Sequence, residues 1–249
     1  MSDPVLRIES LEKSFGALKA TDAVSLELLY GEVHALIGPN GAGKTTLIGQ
    51  IAGGIAPDSG RIYLGSDEIS TLSVARRAQR GLGRTFQISS LAMELSALRN
   101  VMISVQAVEG SSFRFLRQVR SDRSLRSRAI GVLERVGLAD RAEIPVAELS
   151  HGERRQAEVA CALALSPRVL LLDEPMAGLG SEGTAAMTGF LSKLKQEIPI
   201  LLIEHDMDAV FKLADRISVL VYGRIIATGS VDEIRRDPAV RDAYLGDAA

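Results

Sequence analysis

The 249 residues carry 29 Lys and Arg against 31 Asp and Glu, so a net charge of −2 provides no overall field towards nucleic acid or anionic lipid. With 46% hydrophobic and 24% charged residues, the chain suits one globular domain, or a domain with a subdomain, large enough to bury a sizeable core. A single cysteine, Cys161, excludes an internal disulfide framework and fits a reducing compartment.

In chain order, MSDPVLRIES has neither a basic start nor an apolar stretch of signal length. From Val5 to Leu29, alternating apolar positions (Leu6 and Ile8; Val24, Leu26 and Leu28) predict short, half-buried strands of an antiparallel sheet. Glu32 to Ile37 reads as a buried strand, Gly38 ends it, and a helix is expected from about Lys44 to Ala52. Between them GPNGAGKTT fits the phosphate-loop pattern G-x-x-x-x-G-K-[ST]. Its glycines let successive N–H groups curl towards phosphate oxygens, and the helix N-terminus adds its positive end. Gly38, Pro39, Asn40, Gly41, Ala42, Gly43, Lys44, Thr45 and Thr46 are therefore candidate nucleotide contacts. Lys44 can reach the β- and γ-phosphates, and the Thr45 hydroxyl can ligate Mg²⁺.

The middle of the chain, 88–165, lacks β-branched runs and reads as an inserted helical subdomain. Within it AEVACALALS is helical and apolar, which makes Cys161 a packing residue rather than a reactive thiol. FRFLRQVRSDRSLRSR sets Arg114, Arg117, Arg120, Arg123, Arg126 and Arg128 against one acid, Asp122. Such a run is ordinarily a solvated face, with attraction to anionic headgroups as the alternative. No interleaved aromatic platform supports nucleic-acid binding, since Phe113 and Phe115 read as core.

Two further apolar strands, Val169 to Leu172 and Ile200 to Ile203, end in Asp173-Glu174 and in Glu204-His205-Asp206. Polar strand ends beside a phosphate loop predict an open parallel α/β sheet that binds ligand beyond its carboxyl edge. Asp173 is suited to hold Mg²⁺, commonly through water, and Glu174 to position and activate the attacking water as a base. Apolar runs such as VLLL and IPILLI are too short to cross a bilayer. The protein is expected to be soluble and to work at a membrane only by docking onto something that spans it.

Further motifs follow in a fixed order: RTFQ ending in Gln87, LSHGERRQ at 149–156, AGLG at 177–180 and IEHDM with His205. Together with the phosphate loop and DE pair, they resemble the ATP-binding subunits of ABC transporters over nearly the whole chain. The resemblance implies one ABC ATPase domain over 1–249. Residues 1–87 and 166–249 would form the nucleotide-binding α/β core with its antiparallel β-subdomain, and 88–165 the helical subdomain. It implies adenine stacking on Phe15, contact of Gln87 with Mg²⁺ or the attacking water, and a γ-phosphate hydrogen bond from His205. Two subunits would pair head to tail around two ATP molecules, each held by one phosphate loop and by Ser150, Gly152 and Glu153 of the other subunit. Ser150 also reads as the N-cap of a helix whose N-terminus forms an anion site.

His151 replaces the first glycine of that motif, and Gly180 stands where an Asp or Asn is usual. GRTFQ, LLIEHDMDAV, DRISVLVYGRIIATGS and VRDAYLGD resemble the larger ATPase of branched-chain amino-acid importers. The implied partners are membrane-spanning permease subunits, contacted through ELSALRNV, a second ABC ATPase and, indirectly, a solute-binding protein outside the membrane. The implied location is the inner face of the cell membrane. Lipopolysaccharide-export ATPases and non-transport ABC ATPases acting on a soluble scaffold are the alternatives.

Overall fold

A computed structural model describes residues 3–85, 91–108 and 123–245. Two sheets dominate it. The first has four strands in the order β2-β1-β4-β5: β1 (Leu6–Phe15), β2 (Leu18–Leu28), β4 (Ser59–Leu64) and β5 (Asp67–Glu68). β1 pairs antiparallel with β2 and β4, so the expected antiparallel unit at the start of the chain is present, with strands longer than the short ones predicted. Register shifts between Ile8 and Leu11 and between Leu11 and Lys13 bend the long β1–β2 ribbon.

The second sheet has six strands in the order β10-β9-β3-β8-β7-β6. These are β3 (Val33–Ile37), β6 (Leu82–Arg84), β7 (Val169–Asp173), β8 (Ile200–Ile203), β9 (Arg216–Val221) and β10 (Arg224–Gly229). Val33–Ile37, Val169–Asp173 and Ile200–Ile203 are buried at every position, as strands covered on both faces require. The expected parallel sheet is corrected at one edge, where β10 runs antiparallel to β9 across the turn at Tyr222-Gly223. A two-residue turn can join only antiparallel neighbours.

Helix α1 (Lys44–Ala52) follows the phosphate loop, and α2 (Val74–Gln79) precedes β6. Between β6 and β7 the described chain is helical: α3 (Ala97–Val108), α4 (Arg123–Arg135) and α5 (His151–Ala164), which pack on one another through Val101, Leu133 and Val159. Cys161 on α5 is half-buried, and burial pushes its thiol up to about 11. Of the arginine run, Arg123, Arg126 and Arg128 lie at the start of α4, where Arg126 pairs with Glu143 at 2.6 Å; Arg114, Arg117 and Arg120 lie outside the described residues. After β7 come α6 (Ser181–Leu194), α7 (Met207–Leu213) and α8 (Val231–Arg236).

Arg77 of α2 is 2% exposed and, among the described residues, makes no ion pair with an acid. Its guanidinium donates to Gln50 O and Ile51 O at 2.6 Å, to Ser70 O at 2.6 Å and to Leu72 O at 2.9 Å. The first two are carbonyls from the last turn of α1, so a buried cation closes the negative end of the helix whose other end carries the phosphate loop. No helix among the described residues is long and apolar enough to cross a membrane.

Candidate active site

β3 lies at the centre of its sheet between β9 and β8, and the chain leaves its carboxyl end as the phosphate loop. Two glycines there have no substitute. A Cβ on Gly38 (φ 152°) would sit 2.0 Å from Leu220 O, and one on Gly43 (φ 107°) would sit 2.1 Å from Ala20 O. The loop is thus wedged between β9 and the start of β2. At α1, Gly43 is the N-cap, no side chain caps the helix, and no acid occupies the first turn. By contrast α5 and α8 each close on a complete capping box. The leading N–H groups of α1 are left to an external anion. Lys44 Nζ curls back over the loop, donating to Gly38 O at 2.6 Å and Pro39 O at 3.0 Å. Burial lowers its pKa, while nearby Glu174 and Asp173 raise it.

The parallel register Asp173↔Ile203 brings the ends of β7 and β8 together. Asp173 is buried, its carboxyl pushed up by desolvation and held down by Arg84, whose Nη2 lies 3.7 Å away. Among the described residues its Oδ2 has no hydrogen-bond partner, which suits it to a water on Mg²⁺. The described residues contain no cluster of three or more His, Cys, Asp or Glu that could hold a metal. If Mg²⁺ binds here, Thr45 and Asp173 would supply protein donors, with phosphate oxygens and water completing its shell.

Glu174 sits in the left-handed region at φ 50°, which is uncommon for a residue other than glycine. Its N–H donates to Ile203 O at 2.9 Å. His205 Nδ1 lies 3.6 Å from Glu174 Oε1, so the expected base and the expected γ-phosphate contact face each other. Gln87 lies outside the described residues. Thr85, two positions before it, donates its N–H to Leu171 O at 3.0 Å and accepts from the Asp173 N–H at 3.4 Å. Phe15 is 51% exposed at the tip of the β1–β2 hairpin, whose second strand passes the phosphate loop at Ala20.

The remaining expected contacts lie at the start of α5. Ser150 is its N-cap and accepts from the Glu153 N–H at 3.3 Å. Glu153, expected to touch nucleotide, has both carboxylate oxygens engaged within its own chain. One accepts from the Ser150 N–H at 2.8 Å and the other from Arg141 Nε at 3.0 Å. Its negative charge stabilises the helix end rather than adding a donor for phosphate. Gly180 is the N-cap of α6, and a Cβ there would meet nothing within 4 Å.

Glu204 carries a role that the sequence did not show. It is 1% exposed, and its carboxylate accepts from the N–H groups of Met176 at 2.7 Å, His205 at 3.0 Å and Asp206 at 3.4 Å. One buried anion thus ties the loop after Glu174 to the loop bearing His205. The available signal was an acid placed directly after four apolar strand residues, where a solvated role is hard to satisfy. Glu204→Gln should lower kcat about tenfold and leave ATP affinity within about twofold, because an amide turns one acceptor into a donor facing N–H groups. Steady-state ATPase rates beside a nucleotide titration check this.

A doubly covered sheet carrying an uncapped phosphate-loop helix and adjacent strand-end acids defines a phosphate-loop ATPase cassette. Comparisons with known proteins agree. The ABC transporter family model matches residues 21–177, and a branched-chain amino acid ATP-binding cassette transporter model matches 224–249. The high-affinity branched-chain amino acid transport ATP-binding protein LivG of Salmonella typhimurium is 38% identical over 100% of both chains. The lipopolysaccharide export system ATP-binding protein LptB of Acidithiobacillus ferridurans is 35% identical over 98% of this chain and 97% of its own. The crystal structure of the ADP conformation of MJ1267, an ATP-binding cassette of an ABC transporter, superposes with a TM-score of 0.88 at 30% identity, covering 99% of this chain and all of that one. The chain belongs to the ATP-binding subunits of ABC transporters, a family of ATP-hydrolysing cassettes.

Proposed function

We propose that this subunit powers the import of branched-chain amino acids or closely related small amino-acid, amide or carboxylate solutes. The observation that carries the reading is similarity to LivG over the full length, with a separate match of residues 224–249 to the branched-chain cassette tail. The LptB relative leaves lipopolysaccharide export as the second reading, at lower identity.

The subunit pairs with a second ATPase, head to tail, at the inner face of a membrane, docked on permease subunits that span it. Lys44 and the first N–H groups of α1 bind the phosphates, Phe15 stacks on adenine, and Ser150 and Gly152 meet the partner's nucleotide. Bound Mg²⁺ would neutralise charge on the phosphates and orient the γ-phosphoryl group. Glu174 takes the proton of the attacking water, and His205 donates a hydrogen bond to the γ-phosphoryl oxygens.

Deleting the gene should abolish high-affinity uptake of radiolabelled leucine. The wild-type chain should restore it, and Lys44→Ala should not. Unchanged leucine uptake together with an outer-membrane lipopolysaccharide defect would favour the second reading.

A further inference from the structure

His151 opens α5 at the position where a glycine is usual, yet its ring turns back across the molecule to the loop after β7. Its Nε2 lies 3.1 Å from the carbonyl oxygen of Ala177, so Nε2 carries the proton and donates it. The ring also occupies the only space a side chain at 178 would need. A Cβ on Gly178 would come 2.6 Å from both Cδ2 and Nε2 of His151, and the φ of 74° at that position independently calls for glycine. Next to it, a Cβ on Gly152 would touch Leu179 Cδ2 at 3.4 Å, so helix start and loop are in close apposition over two residues.

The loop continues the connection inward. The N–H of Ala177 donates to Glu174 O at 3.1 Å, and Met176 is fixed by Glu204 at 2.7 Å. Two hydrogen bonds that share one residue, Ala177, therefore connect the first residue of α5 to the backbone of Glu174. Because Glu174 is held at φ 50°, its carboxylate position depends on what anchors the loop after it.

We propose that His151 is a positioning residue that latches the start of α5 to the Glu174 loop, so that occupation of the α5 N-terminus by the partner's nucleotide sets the base at the chain's own nucleotide. This rests on the reading of Glu174 as the base and of α5 as the partner's phosphate contact. The two ends of this connection serve different ATP molecules, and the latch couples them within one chain. A glycine at 151 has no such arm, and the geometry at Gly178 is shaped to receive it.

The test uses the full chain purified with its partner subunits. His151→Ala should lower kcat about tenfold, the effect of one net hydrogen bond lost from the active arrangement. It should also bring the Hill coefficient for ATP towards about 1. ATP affinity of the isolated chain and its melting temperature should stay as in wild type, since the ring is exposed and takes no part in the phosphate loop. His151→Gln places an amide N–H near the Nε2 position and should restore most of both losses. His151→Asn is too short and should behave as alanine. An unchanged Hill coefficient and kcat in His151→Ala, or a glutamine variant no better than alanine, would overturn the latch. If Glu174→Gln keeps its turnover while His151→Ala still loses cooperativity, the base assignment falls and the coupling stands.

Discussion

Glu174→Gln should bind ATP as tightly as the wild-type chain, accumulate as an ATP-bound two-subunit complex, and turn over at least about 100-fold more slowly. Removing a positioned base commonly costs 10²–10⁴ in rate. The amide preserves the shape of the side chain and the strained backbone at φ 50°, so the loop anchored to Glu204 and Ala177 has no reason to move. Nucleotide affinity should be spared because Lys44 and the uncapped N-terminus of α1 are untouched. Single-turnover hydrolysis, with light scattering to count subunits, checks both halves. Near-normal turnover would falsify the assignment of the base.

The largest effect on stability should come from Arg77→Met, far from any reacting atom. Methionine fills much of the volume but leaves the carbonyls of Ile51, Ser70 and Leu72 without the donor that now serves them, and removes the cation from the end of α1. Each stranded buried acceptor costs on the order of 1–3 kcal/mol, partly recovered by relaxation and water. A loss of about 3 kcal/mol or more is expected by urea denaturation, with an unchanged m-value. Lysine should not rescue it, since a point charge cannot reproduce a fork that reaches four carbonyls. A loss below about 1 kcal/mol would mean that the α1 terminus is satisfied by other means.

What could be read beforehand was whatever a local pattern enforces. The phosphate loop, α1 and β8 fall where expected because glycine spacing and unbroken apolar runs admit few alternatives. β4 was missed because it lies between the turn-rich IAPDSG and GSDE and buries only alternate residues near its end. β10 was missed for a related reason, since none of its positions is fully buried. The residues that escaped notice act through distant partners. Arg77 looks like one more surface arginine until α1 is folded against it, and Glu204 looks like a solvated acid until β7 lies beside β8. His151 could be recognised as a departure from a family pattern. Its partner, a backbone oxygen 26 positions away, leaves no mark in the sequence.

The half-buried thiol of Cys161 has a practical use. Burial pushes its pKa up to about 11, so the nucleophilic thiolate is disfavoured at neutral pH. The chain can therefore be dye-labelled without first removing its native cysteine. A reporter cysteine placed at the exposed Tyr222 would label over a low background and test whether the proposed two-subunit assembly opens and closes.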